Sequence, residues 1–332
     1  MKKNIAIIGG SGFIGTRLAE RLLGAGHSIR IIDKAESRSY PDLWIKGDVR
    51  DRKSLLAAAK GCDVIYNLAA EHRDDVRPGS LYYDVNVGGA ENVCSVAEEL
   101  GIKEIVFTSS VAVYGFPGEE TDESGELRPF NDYGRTKLEA EKIYIDWKKR
   151  SEDRSLTIIR LTVVFGEGNR GNVYNLLNQI ASGKFLMVGN GRSRKSMAYV
   201  GNVVSFLEFT LSFGAGYHLF NYIDKPDFDM NSLLSLVNDK IGNGGKKLFR
   251  VPYWVGYAGG LVFDAASRLT GKKFPISSIR IKKFCSDTQF TSLRIRETGF
   301  TPPYSLEEGL HRTIQYEFLQ PRPDSDILFH SE

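Results

Sequence analysis

Only three cysteines occur in the 332 residues, Cys62, Cys94 and Cys285, far apart and without a C-x-x-C. That spacing excludes a disulfide framework and a zinc knuckle and suits a reducing cytosol. The five histidines, His27, His72, His218, His311 and His330, show no metal-ligand spacing, so no metal is expected. Long apolar runs are missing too. The longest mainly apolar stretch of the C-terminal half, Val251 to Phe263, falls well short of the roughly 20 residues that cross a bilayer. Five uncharged residues between Lys3 and Gly9 are too few for a signal peptide's apolar core and read as a first strand. Charge of one sign is also lacking: 44 Lys and Arg against 41 Asp and Glu leave +3, too near neutral for a nucleic-acid wrapper. No repeat or low-complexity segment is present, and 42% apolar residues exclude disorder, collagen and a coiled coil.

Short β-rich runs alternate with segments of helical period, the sign of βα units and a parallel sheet. Strands are expected at Asn4 to Ile8, Ser28 to Ile32, Val64 to Asn67, Glu104 to Thr108 and Leu156 to Leu161. Helices are expected at Phe13 to Gly24, Lys53 to Lys60, Leu81 to Leu100 and Asp132 to Lys149. After Gly166 the pattern turns irregular, with Gly/Asn/Arg-rich turns, and Tyr217 to Ile223 reads as a strand returning to the sheet. The fold class is therefore α/β, a Rossmann-like doubly wound parallel sheet with a smaller, discontinuous C-terminal lobe. The expected division is a dinucleotide-binding domain over 1–165, a substrate lobe over 166–320 and a tail over 321–332.

The first strand runs into Gly9-Gly10-Ser11-Gly12-Phe13-Ile14-Gly15, a G-x-x-G-x-x-G loop opening a helix. Such a loop lets backbone N–H groups and the helix N-terminus approach a pyrophosphate. Asp33 ends the next strand about 20 residues on, where a carboxylate takes ribose hydroxyls and repels a 2′-phosphate. NAD is the expected cofactor, with Lys34 and Arg38 leaving an opening for NADP. Asp48, in Gly47-Asp48-Val49, is placed to meet the adenine or else to serve as a turn carboxylate before a helix.

Tyr133 and Lys137 stand four apart on one helix face. A tyrosine of pKa about 10 needs a nearby cation to act as a base at neutral pH, which Lys137 supplies. Y-x-x-x-K alone also describes an ordinary exposed pair. The difference lies in Thr108-Ser109-Ser110, at the C-terminal end of the preceding strand, where α/β sheets place ligands and where Ser110 can donate to a reacting oxygen.

With these motifs the chain resembles the extended short-chain dehydrogenase/reductases, in the NAD-dependent sugar epimerase/dehydratase group. The matching segments are the glycine loop, Asn67-Leu68-Ala69-Ala70, Asn86, Ser109-Ser110-Val111-Ala112-Val113-Tyr114-Gly115, Tyr133 with Lys137, Arg160 before Phe165-Gly166, and Tyr304 to Leu310. The resemblance implies cofactor contacts from Gly9, Gly12, Phe13, Ile14, Gly15, Asp33, Asp48, Val49, Leu68, Ala69, Ala70 and Asn86, besides Tyr133 and Lys137. It implies that Tyr133 deprotonates a sugar 4-hydroxyl while C4 reduces NAD, and that the 4-keto sugar turns over and is reduced on its other face. Ser110 would bond the 4-oxygen, and Lys137 would hold the nicotinamide ribose and lower the Tyr133 pKa.

Two departures narrow the reaction. Family dehydratases resemble one another in an Asp-Glu pair directly after the catalytic Ser/Thr, where this chain has Val111 and Ala112, so dehydration is not expected. Members acting on soluble nucleotide sugars commonly carry an Asn where this chain has Val163 and a diphosphate-gripping Arg where it has Lys195. The chain looks most like members of the group that convert GlcNAc to GalNAc on undecaprenyl diphosphate, in surface polysaccharide (O-antigen) biosynthesis. That likeness lies in Ala69 to Val76, Gly168 to Leu177, Lys195 to Asn202 and Ser277 to Cys285. His72, in a loop after a strand, and Asn169 and Arg170, where the second lobe begins, join Ser110 and Lys195 as substrate candidates. For His72, a solvated loop residue is the competing reading.

A physical feature agrees with a lipid-linked substrate. From Lys240 to Cys285 there are ten basic residues and one acid, Asp264, giving +9 and leaving −6 for the remainder. Aromatic and aliphatic residues from Val251 to Phe263 lie among them, a composition that suits an anionic bilayer interface. The same apolar residues also suit a lobe core. The expected location is cytoplasmic, peripheral to the inner-membrane face, with no nucleic-acid partner and with a homodimer through the two long helices. The competing readings are a 4-epimerase or 4-ketoreductase of a soluble nucleotide sugar such as UDP-GlcNAc, and a catalytically silent NAD-sensing scaffold.

Overall fold

The computed structural model describes residues 2–73, 76–242, 249–270, 277–320 and 327–329. His330, Asp74 and Asp75 within the Ala69 to Val76 segment, and Lys246, Lys247, Lys272 and Lys273 of the ten basic residues counted above lie outside the described residues, as do the side chains of Arg268 and Lys283, two more of the ten.

Strands β1 (Asn4–Ile8), β2 (Ser28–Asp33), β3 (Trp44–Lys46), β4 (Val64–Asn67), β5 (Glu104–Ser110) and β6 (Ser155–Leu161) build most of a parallel sheet. Apolar side chains on both faces suit β1, β4 and β6 to a sheet covered on both sides. The edge strand β3, not anticipated as an element, is a three-residue strand with two exposed positions and so carries no legible period. Helix α1 (Phe13–Gly24) lies against one face; α2 (Arg52–Ala59), α4 (Gly88–Leu100) and α5 (Asp132–Lys149) cover the other. The expected helix from Leu81 begins instead as α3 (Ser80–Tyr82) and passes through a π-turn, Tyr83–Val87, into α4. The Asn131 side chain caps α5, accepting from the Gly134 N–H at 2.9 Å, and Lys148 and Lys149 suit its negative C-terminal end.

Beyond β6 come β7 (Val163–Phe165), α6 (Asn172–Ala181), β8 (Leu186–Val188), β9 (Arg194–Tyr199) and α7 (Val200–Phe209), then β10 (Gly216–Tyr222) and β11 (Asp224–Asp229). They are followed by α8 (Met230–Ile241), β12 (Phe249–Val251), α9 (Tyr253–Thr270), α10 (Ser278–Cys285), α11 (Leu293–Glu297) and α12 (Leu306–Ile314). The returning strand is β10, parallel to β6, which closes the seven-stranded order β10-β6-β5-β4-β1-β2-β3. Helix α7 joins α1 on its face, and the Tyr66 hydroxyl of β4 donates to the Leu207 carbonyl at 2.8 Å. The smaller lobe holds a three-stranded sheet, β11-β9-β7, and a two-stranded one, β12-β8. Part of the expected tail is fixed on it: Phe329 exchanges backbone hydrogen bonds with Gly168 and Arg170.

Candidate active site

The strand order reverses between β1 and β4, and their C-terminal ends define a crevice there. Gly9 leaves β1 with φ of 78°, and a Cβ on it would stand 2.7 Å from the Ala69 nitrogen, so only glycine lets these loops approach. A Cβ on Gly15 would meet the Gly10 Cα at 2.5 Å, so the helix starts flush on the loop. Gly12 is the exposed N-cap of α1 and brings no side chain to its first N–H groups, leaving them open to an anion. Asp33 points its carboxylate back at this loop, accepting from the Ser11 N–H at 3.1 Å and the Ala35 N–H at 3.0 Å. A glycine cradle, an uncapped helix N-terminus and a carboxylate at the second strand's end fit a dinucleotide, with Gly9, Gly12, Gly15 and Asp33 as its holders.

The other proposed cofactor contacts differ in how they are engaged. Leu68 and Ala69 shape the β4 end, with the Asn67 side chain accepting from the Ala69 N–H at 3.1 Å. Asn86 is buried, and the π-turn aims it inward: it accepts from the Glu71 N–H at 3.0 Å and donates to the Glu71 carbonyl at 3.0 Å and to Thr136 Oγ1 at 2.9 Å. It thus ties the loop after Ala70 to helix α5. Asp48 is engaged by Arg50, whose backbone and guanidinium N–H groups hold its carboxyl below the ordinary carboxylate range. Its neighbour Val49 is buried against Gly89 of α4.

At the end of β5, Ser110 and Tyr133 come together. Burial pushes the Tyr133 hydroxyl up from its ordinary pKa, and a hydrogen bond with the Ser110 side chain opposes that rise. Ser110 Oγ also accepts from the Ala112 N–H at 3.2 Å, so the turn after β5 fixes it in place. Lys137 is turned onto the end of β5. Its ammonium is buried, donates to the Thr108 carbonyl at 2.7 Å and lies 4.5 Å from the Phe107 ring centroid. Burial lowers Lys137 to about 7, against an upward pull from Glu141. On Tyr133 itself, Ser110 supplies the downward influence.

Beneath this pair lies a buried network that joins the motif residues Ser109, Tyr114 and Arg160 through Glu141, a residue the motifs do not include. Glu141 accepts from Ser109 Oγ at 2.5 Å and from Arg160 at 2.9 and 2.7 Å. Arg160 also donates to the Tyr114 hydroxyl at 2.6 Å, which donates to Asn221 at 2.8 Å. The network fastens α5 to β5, β6 and β10. The signal in the sequence for Glu141 is its place four residues after Lys137, on the same helix face.

The substrate candidates are spread more widely. His72 is exposed on the loop after β4. Asn169 is buried and donates to the Val164 carbonyl at 3.1 Å; Arg170 pairs with Glu317 at 2.9 Å and stacks 4.0 Å over Tyr174. Asn169 thus braces its own loop against β7, whereas Arg170, whose partner lies 147 positions away, holds the lobe to the C-terminal segment. Lys195 donates to the Ser286 carbonyl, and burial lowers it to about 8. Ser286 lines an open cleft of about 620 Å³ together with Gly189, Gly191, Arg250, Tyr253 and Lys282. None of Ser110, Tyr133 and Lys137 lines that cleft.

Comparison with known proteins places this geometry. Residues 5–221 match the model of the family described as "NAD dependent epimerase/dehydratase family". The chain is 51% identical, over 336 aligned positions covering all of both proteins, to the N-acetyl-alpha-D-glucosaminyl-diphospho-ditrans,octacis-undecaprenol 4-epimerase of Escherichia coli O157:H7. In fold it resembles the UDP-N-acetylglucosamine 4-epimerase of Bacillus cereus, with TM-score 0.75 and 17% identity over 94% of this chain and 98% of that one. It also resembles MoeE5 in complex with UDP-glucose and NAD, with TM-score 0.73 and 23% identity over the same shares. A glycine cradle, a Ser-Tyr-Lys set at the end of β5 and a match across two thirds of the sequence converge: the chain belongs to the NAD dependent epimerase/dehydratase family.

Proposed function

We propose that the protein is a 4-epimerase that interconverts N-acetylglucosamine and N-acetylgalactosamine on undecaprenyl diphosphate. The observation that carries this reading is the 51% identity over the whole of both chains to an enzyme of that name. The site agrees with it. NAD, when bound, supplies a reversible two-electron acceptor for the carbon bearing the 4-hydroxyl. Tyr133 takes that hydroxyl's proton and later returns it, and Ser110 donates to the same oxygen and keeps it in reach of Tyr133. Lys137, anchored on the Thr108 carbonyl, fixes the ribose side of the cofactor. Val111 and Ala112 offer no acid or base beside Ser110, which leaves oxidation and reduction at one carbon rather than loss of water.

Lys195, Arg250 and Lys282 lie in or beside the cleft at the Gly189 turn and suit a diphosphate there. The division into a cofactor-binding part over 1–165 and a substrate lobe over 166–320 follows from the same picture. Action on a membrane-borne sugar further implies work at the cytoplasmic membrane face, in O-antigen assembly, by a homodimer formed through α4 and α5. Sedimentation velocity of the purified chain checks the last point, and a monomer at micromolar concentration would refute it.

The test of the reaction is a matched pair of incubations without added reductant, one with GlcNAc-diphospho-undecaprenol and one with UDP-GlcNAc. Each is followed by hydrolysis and separation of the two hexosamines. Conversion of the lipid-linked sugar is expected; conversion of UDP-GlcNAc alone would assign the protein to the soluble-substrate class.

A further inference from the structure

Helix α9 is built the wrong way round for a helix in water. Trp254, Ala258, Leu261, Val262, Ala265 and Leu269 recur at helical spacing and fall within an arc of about 100° at 3.6 residues per turn. All six are exposed, Trp254 by 72%, Val262 by 69% and Leu269 by 87%. The inward face carries Gly256, Gly260 and Asp264 beside the half-buried Phe263. A Cβ on Gly260 would stand 2.7 Å from the Ser278 nitrogen, so α9 lies directly on the start of α10. Asp264 is turned inward as well, accepting from the Ser278 N–H at 3.1 Å and its hydroxyl at 2.5 Å. The single acid between Lys240 and Cys285 is thereby removed from the exposed face.

The surroundings supply the complementary charge. Exposed Arg250 lies on β12 just ahead of α9, and exposed Arg280 and Lys282 lie on α10; their sequence neighbours Phe249 and Ile279 are exposed apolar residues. Tyr253, the first residue of α9, and Lys282 of α10 both line the cleft that also holds Arg250. An apolar stripe without acids, on a helix whose first turn borders a cleft carrying Arg250 and Lys282, has the composition of an interfacial helix.

We infer that the outer face of α9 docks on an anionic bilayer, with Trp254, Leu261, Val262 and Leu269 in the acyl boundary and Arg250, Arg280 and Lys282 at the headgroups. The inference rests on the lipid-linked reading above and gives it a physical route, since a diphosphate in the cleft then sits at headgroup level with its polyprenyl chain running along α9.

The test uses the full chain with phosphatidylglycerol vesicles, phosphatidylcholine vesicles serving as control. The wild-type protein is expected to sediment with the anionic vesicles at low salt, and Val262→Glu/Leu269→Glu to lose roughly tenfold or more of that partitioning. Trp254 emission is expected to shift to the blue on vesicle addition, and that shift should vanish in Trp254→Phe. Turnover of a short-chain, water-soluble prenyl-diphospho-GlcNAc shows that the double variant is folded. It also tests the epimerase reading apart from the membrane, so the two can fail separately. Wild-type protein left in the supernatant, or a double variant that binds as well as wild type, would overturn the inference. So would a blue shift that depends on protein concentration without vesicles, which would make the face a contact between copies.

Discussion

Tyr133 and Lys137 are both held away from their ordinary ionisation by burial, in opposite senses. Replacing Tyr133 with Phe removes the proton carrier while keeping the ring, so kcat should fall by about 10²–10⁴-fold with little change in Tm, measured by hexosamine interconversion. Lys137 makes a separate statement about stability. An unfolded lysine titrates near pH 10.4 and the buried one at about 7, so the unfolded chain binds more protons across that window. Stability from this group therefore rises with pH through the window, and its penalty is complete below pH 7. Lys137→Met should be more stable than wild type by on the order of 3–5 kcal/mol near pH 6.5, with the gap closing towards pH 10 in urea unfolding. A gap constant with pH would remove burial as its cause. Arg160→Met, which leaves Glu141 buried without its cation, should cost about 3–5 kcal/mol, and the pair Glu141→Leu/Arg160→Met markedly less. Tyr133 and Lys137 were legible because their relation is local, one helical turn. The engagement of Arg170 was not, since its partner Glu317 lies 147 positions away.

Among the elements, the helices α1 and α5 and the strands β1 and β4 kept their expected limits, because each combines a clear period with a capping or turn residue at its end. The π-turn at Tyr83–Val87 had no such signature. One extra residue in the turn is enough to rotate Asn86 inward, and its three hydrogen bonds then set where the loop after β4 meets α5. The glycine loop is the element with the least tolerance. Gly15→Ala would push a methyl into the Gly10 Cα, 2.5 Å away, and so lift α1 off the loop it opens. NAD copurifying with the protein should drop about tenfold or more in this variant, measured by release on denaturation, whereas Gly24→Ala, with nothing near its Cβ position, should retain it.

For the molecule as a whole, the parallel sheet and the cofactor crevice were readable in the first half of the sequence, where motif and element coincide. The second lobe was not, because its short strands pair across long intervals, β7 with β9 and β8 with β12, and leave no period within any window. The two parts also share structure: α7 covers the same sheet face as α1, and β10 completes the sheet beside β6. During synthesis, β6 therefore leaves the ribosome some sixty residues ahead of the strand that pairs with it, and its hydrogen-bonding edge stays open until Tyr222 has emerged. The nascent chain spends that interval as an unfinished sheet, and it is then, rather than in the finished enzyme, that a chaperone has most to shield.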